Sequence, residues 1–187
     1  MYEIKAQMFD VTGQPVGQEF LVNTTTSGWQ SLPSISSVSG GGFVVVWQDS
    51  SSGTADIRGQ LYSSVGQPIG GQLLVNTTTS GFEVDPTMTG LTTSGFVVSW
   101  VDKNLFTSDI QARFYSSIGQ PVSGEILINT TTNGPQYAPS VVALDGGGAA
   151  FTWADTSFST SDIRFQAYNS FGGRIGTELL VTNQSVM

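Results

Sequence analysis

With 187 residues, of which 39% are hydrophobic, the chain is long enough to bury a core without staples, and it has no cysteine to form any. It also has no histidine, which removes the commonest general base and the commonest metal ligand. Fourteen acidic against six basic residues give a net charge of −8, which argues against nucleic acid or an anionic membrane surface as a partner.

Charged residues are only 11% of the chain, against roughly 25% in an ordinary globular protein, and Gly, Ser, Thr and Gln take their place. No run approaches the roughly 18 to 20 apolar residues of a membrane span, so membrane insertion is not expected. "MYEIKAQMFD" lacks the apolar core of a signal peptide. The expectation is a processed export product or a segment of something longer.

In chain order, the first element is "EIKAQMF" from Glu3, and the same frame returns at Asp56, Asp109 and Asp162, a spacing of 53 residues with no insertion. Repeats 3–55, 56–108 and 109–161 are complete, and a partial copy spans 162–187. Within "DIRGQLY", Ile57, Gly59 and Leu61 alternate with Arg58, Gln60 and Tyr62, the period of a half-buried strand. The polar face carries Lys5, Arg58, Arg113 and Arg164 and reads as solvated or as an interface.

A Gly-rich turn, "SSVGQPIGG", then leads into a second strand, "QLLVNT". Beyond the Thr run, Pro33, Pro86 and Pro139 open a third, since proline at a strand's first residue removes only a dispensable donor. The fourth, "GFVVVWQD", "GFVVSWVD" and "GAAFTWAD", is apolar enough to be covered on both faces.

These periods predict an all-β chain: 53-residue tandem repeats of about four antiparallel strands, three and a half copies, arranged as a propeller-like ring or an open repeat array. The pattern G-F-V-V-x-W-x-D followed by D-I-x-x-Q-x-[FY]-x-x-x-G-x-x-x-G resembles the tandem repeats of large secreted and surface proteins of bacteria. That resemblance implies an extracellular or cell-surface place and little assigned chemistry. Three and a half copies leave one strand pair without partners, and an open β-edge is a template for another strand. The final strand, "TELLVTNQS", has only Glu178 to blunt it.

"NTTT" begins at Asn23, Asn76 and Asn129, and "NQS" at Asn183, so these four asparagines are candidate glycan acceptors; the alternative is a strand ending in a polar turn. The pairs Asp49/Asp56, Asp102/Asp109 and Asp155/Asp162 are candidate Ca²⁺ ligands, against a stronger alternative as turn-formers. Trp47, Trp100 and Trp153, with Tyr62, Tyr115 and Tyr168, read as core and inter-repeat packing. Trp29, whose equivalents are Phe82 and Pro135, is a candidate binding aromatic.

Every candidate acid belongs to the repeat, whereas an active site is usually a departure from it, so no catalytic constellation, enzyme activity or cofactor is expected. The sequence thus points to a glycosylated extracellular structural repeat, its own partner in a head-to-tail filament, fibril or adhesin stalk. The alternative is a carbohydrate-binding, lectin-like propeller module with glycans as partners.

Overall fold

The computed structural model describes residues 2–93, 95–157 and 161–182. Fourteen strands and no helix are found among them, and no helix is long and apolar enough to cross a membrane. Strands β1 (Lys5–Phe9) and β2 (Pro15–Leu21) form a two-stranded sheet. Three four-stranded antiparallel sheets follow. The first contains β3 (Gln30–Val38), β4 (Gly42–Asp49), β5 (Asp56–Tyr62) and β6 (Pro68–Leu74). The second contains β7 (Phe82–Gly90), β8 (Phe96–Lys103), β9 (Ser108–Tyr115) and β10 (Ile126–Leu127). The third contains β11 (Gln136–Ala143), β12 (Ala149–Asp155), β13 (Asp162–Tyr168) and β14 (Arg174–Leu180).

Each sheet is a propeller blade, and the blades straddle the sequence repeat, taking two strands from one copy and two from the next. The partial last copy is therefore not left open. β13 pairs with β12 from Ala149↔Tyr168 to Asp155↔Asp162, and β14 pairs with β13, so the third blade is complete. The half-blade is β1–β2 instead. This corrects the expectation that the C-terminal strands await those of another copy.

The apolar runs are covered on both faces because each blade packs against the next. Trp47 lies with Ile4 and Val22 between the half-blade and the first blade. Trp100 lies with Val44, Ile57 and Val75 between the first and second. Trp153 lies with Ile110, Phe114 and Ile128 between the second and third. Tyrosines staple these layers: the hydroxyls of Tyr62, Tyr115 and Tyr168 donate to the carbonyls of Val22, Val75 and Ile128 at 3.5, 3.1 and 3.2 Å. The tyrosines and tryptophans thus pack between repeats, as the sequence suggests.

Two local differences from the sequence reading have clear causes. Pro33, Pro86 and Pro139 lie inside β3, β7 and β11, at a bulge that shifts the register and frees the missing donor. The residue before each, Leu32, Asp85 and Ala138, has a left-handed φ of 52, 53 and 49°. Strand β10 is short because Ser123 stands where Gly17, Gly70 and Gly176 adopt φ of 72, 67 and 68°. A side chain at that left-handed position is strained, so the outer ladder is interrupted.

Candidate functional site

The "NTTT" asparagines close the outer end of each repeat. Oδ1 of Asn23, Asn76 and Asn129 accepts the backbone N–H of Ile4, Ile57 and Ile110 at 2.7 Å. Their Nδ2 groups donate to the carbonyls of Thr25, Thr78 and Thr131 at 2.8 Å. All three are buried, with both ends of the amide engaged. They are structural clamps, with the local hydrogen bonding of the polar-turn alternative; Asn183 lies outside the described residues.

The acid pairs are directly opposed across β4–β5, β8–β9 and β12–β13. In the first and third blades they are spoken for. Oδ1 of Asp49 accepts Gln30 Nε2 and Ser51 N–H, both at 2.9 Å, while Arg58 Nε stands 3.5 Å from Oδ2. Oδ1 of Asp155 accepts Gln136 Nε2 and Ser157 N–H, both at 2.9 Å, and Arg164 Nε donates to Oδ2 at 3.1 Å. Asp56 and Asp109 accept the Nδ2 of Asn76 and Asn129, and Asp162 accepts the Thr182 hydroxyl. Among the described residues no group of three or more acids is placed to hold a metal ion. The turn-forming alternative accounts for these aspartates.

The second blade breaks this pattern. Gln30 and Gln136 each accept the indole N–H of Trp47 or Trp153 and donate to the aspartate. Their equivalent is Glu83. It accepts the Trp100 indole N–H on Oε2 at 2.8 Å, but its buried Oε1 has no donor. Where Arg58 and Arg164 neutralise Asp49 and Asp155, the second blade has Gln111, whose Oε1 is also buried without a partner. The expected cation, Arg113, stands two residues further on, donating to the Val75 carbonyl at 3.0 Å and stacking on Tyr115.

Two carboxyl groups therefore meet with neither amide nor guanidinium between them. Burial, then the charge of Asp102, pushes Glu83 from the usual 4.5 to about 8, against the opposing Trp100 hydrogen bond. Burial, then Asp109 and Glu125, raises Asp102 as well. At neutral pH Glu83 carries a proton.

At this end of the blade lies a cleft of about 420 Å³, lined by residues that include Gly81, Phe82, Val84, Lys103, Asn104 and Leu105, on the face opposite the pair. Gly81 is the thin wall: a Cβ there would stand 3.3 Å from Oε1 of Glu83 and 3.7 Å from Oδ1 of Asp102. Phe82 is 51% exposed and Leu105 93%. Trp29, the equivalent of Phe82, is 67% exposed and meets Tyr2 edge-on at 5.7 Å. Further along β7, Asp85 joins Leu32, Ala138 and the three prolines around a second hollow where the inner strands converge.

Sequence reasoning singled out Asp102 but missed Glu83, Asp85 and Gln111. The signal was present: in columns 53 residues apart, Gln30/Glu83/Gln136, Leu32/Asp85/Ala138 and Arg58/Gln111/Arg164 change charge only at the member in the second blade.

Comparison with solved proteins bears on the fold. The chain has a propeller-type fold. It superposes on an endo-arabinase from Bacteroides thetaiotaomicron with a TM-score of 0.59 at 14% identity, covering 91% of this chain and 69% of that one. A protein from Parabacteroides distasonis named as a candidate glycoside hydrolase gives 0.55 at 8% identity, covering 93% and 55%. A third structure, from the family of mannoside phosphorylases that contains glycoside hydrolases targeting β-1,2 mannosidic linkages in Candida mannan, gives 0.51 at 11%, covering 83% and 49%. The chain thus spans about half the length of the last two. No family model matches the sequence, and no curated relative does.

These likenesses establish the fold, and they overturn the expected function. Proteins that share this architecture are named for carbohydrate chemistry, not for filaments, fibrils or stalks, so the structural-subunit expectation is set aside. The expectation of a chain with no enzyme activity falls with it, since it rested on finding no departure from the repeat, and the second blade is such a departure.

Proposed function

We propose that the chain is a carbohydrate-active propeller that holds a glycan at the start of β7. The observation that carries this reading is the clustering, within four residues of one strand, of an exposed aromatic, Phe82, a buried acid, Glu83, and an exposed acid facing the second hollow, Asp85. An aromatic face takes the apolar face of a sugar ring, and Lys103 and Asn104 supply polar partners at the cleft wall.

A glycosidase needs carboxyl groups and no histidine. Asp85 is the acid open to a substrate. Glu83, 1% exposed, shapes the field beneath it. The low charge and the resemblance to repeats of secreted bacterial proteins support an extracellular place of action.

The test is a panel of soluble glycans including arabinan and β-1,2-mannan, assayed for binding by calorimetry and for new reducing ends. Phe82→Ala is expected to weaken binding by about tenfold or more, and Asp85→Asn to remove turnover while sparing binding. Binding without turnover would favour the lectin-like module; neither binding nor turnover on any glycan would overturn the reading.

A further inference from the structure

We propose that the second blade contains a site for an organic cation, an ammonium or guanidinium group, bounded by Asp102, Glu83, Gln111 and Glu125. The other blades show what the site is for. In the third, a guanidinium lies between Asp155 and Glu178, with Arg164 Nε at 3.1 Å from the first and Nη1 at 3.5 Å from the second. In the first, Arg58 occupies the same place beside Asp49. These arginine side chains are 33% and 20% exposed, so the place they occupy is reached from solvent.

In the second blade the frame remains and the cation is gone. The corresponding positions are Asp102, Glu125 and Gln111, and the amide that would face Asp102 has become a carboxyl, Glu83. Net formal charge over the four positions is zero in the first blade, −1 in the third and −3 in the second with all acids ionised. Among the described residues, none donates to the buried Oε1 of Glu83 or Oε1 of Gln111, and while Glu83 is protonated its own proton stands where the cation would. Glu83 is 1% exposed, so once that proton leaves, the bare carboxylate is costly. A multidentate N–H donor satisfies what the lost arginine did; the described acids do not converge as a metal would require.

Resting on the carbohydrate reading, the cation is the ammonium of an amine-bearing saccharide, directed at Asp102. The proton on Glu83 then acts as a competitor. Burial, then Asp102, Glu125 and Asp56, raise its affinity against the Trp100 hydrogen bond, and a bound cation drives it off. Binding therefore tightens as pH rises toward 8.

The experiment uses methylguanidinium and methylammonium chloride as probes, with NaCl and CaCl₂ as controls, on the wild type, Gln111→Arg and Glu83→Gln. Melting temperature and calorimetry in two buffers of different ionisation enthalpy are read. A probe-dependent rise in the wild type with release of about one proton, absent in Gln111→Arg, supports the site. An equal response in wild type and Gln111→Arg overturns it, as does a response to Ca²⁺ alone. Chitosan oligomers and their N-acetylated forms are then compared. At least tenfold tighter binding of the amine form supports the saccharide assignment, and equal binding overturns it. Probe binding with no saccharide binding leaves the cation site standing and defeats the carbohydrate reading alone.

Discussion

Trp100 donates its indole N–H to Oε2 of Glu83 at 2.8 Å, and so commits one oxygen of a buried carboxyl whose other oxygen has no donor. Trp47 and Trp153 make the same bond to glutamines, whose amides then reach the aspartate. One carboxyl for one carboxamide breaks the relay from tryptophan to aspartate.

Glu83→Gln should therefore stabilise the protein. Restoring the amide bond to Asp102 is worth about 1.5–3 kcal/mol, and each kcal/mol raises the melting temperature of a chain this size by about 2–4 °C. The pH dependence has a definite sign. Because the folded protein holds the Glu83 proton up to about 8 against 4.5 normally, this residue's stabilising proton is fully present below 4.5 and is lost as pH rises through 8. Thermal melts from pH 4 to 9 should show this decline in the wild type and not in the variant.

Asp155 has the opposite sign. Burial raises its pKa, but hydrogen bonds from Ser157 and Gln136 and the charge of Arg164 outweigh that and hold it below the usual value. Its contribution is present above the ordinary carboxylate range and disappears as pH falls below it. Arg164→Ala should cost about 3–5 kcal/mol by unpairing a buried carboxylate, and should flatten the acid side of the stability profile. Arg58→Ala, removing a longer and more exposed contact, should cost less in urea titrations.

The Asn76 amide joins three groups: Ile57 N–H, the Thr78 carbonyl and Asp56. Asn76→Ala strands a buried N–H and a carboxylate and is expected to cost about 2–6 kcal/mol, at about 1–3 kcal/mol for each orphaned group. Intact-mass measurement of protein secreted from a glycosylating host should find no sugar at Asn23, Asn76 or Asn129.

Ser123→Gly restores the residue that the left-handed bulge prefers. It should extend β10 toward the seven residues of β6 and β14 and add about 0.5–1 kcal/mol. Slower amide hydrogen exchange at residues 121–125 would report it; unchanged exchange would show that Ser123 does not limit the strand. By contrast, Gly95→Ala should destabilise severely, since a Cβ there would stand 1.9 Å from the Tyr115 carbonyl at a φ of +81°.

Much of this architecture was legible. The 53-residue period, the strand faces and the tryptophan and tyrosine packing follow from residues that recur in register, because equivalent side chains meet equivalent neighbours in every blade. Blade boundaries were not legible, since a period does not say where its unit begins; only the pairing of β12 with β13 decides it. The site was hidden for a related reason. Asn76 matches an acceptor motif yet is consumed by Ile57 and Asp56, while Glu83 matches no motif. It becomes conspicuous only against Gln30 and Gln136.

The left-handed residues before the three prolines carry a broader lesson. Leu32, Asp85 and Ala138 share one backbone shape within 4° of φ while bearing an isobutyl, a carboxyl and a methyl group around the same hollow. The fold has already absorbed the conformational cost at each. These positions form an interchangeable socket, where the chemistry facing the axis can be rewritten one blade at a time with the scaffold unchanged.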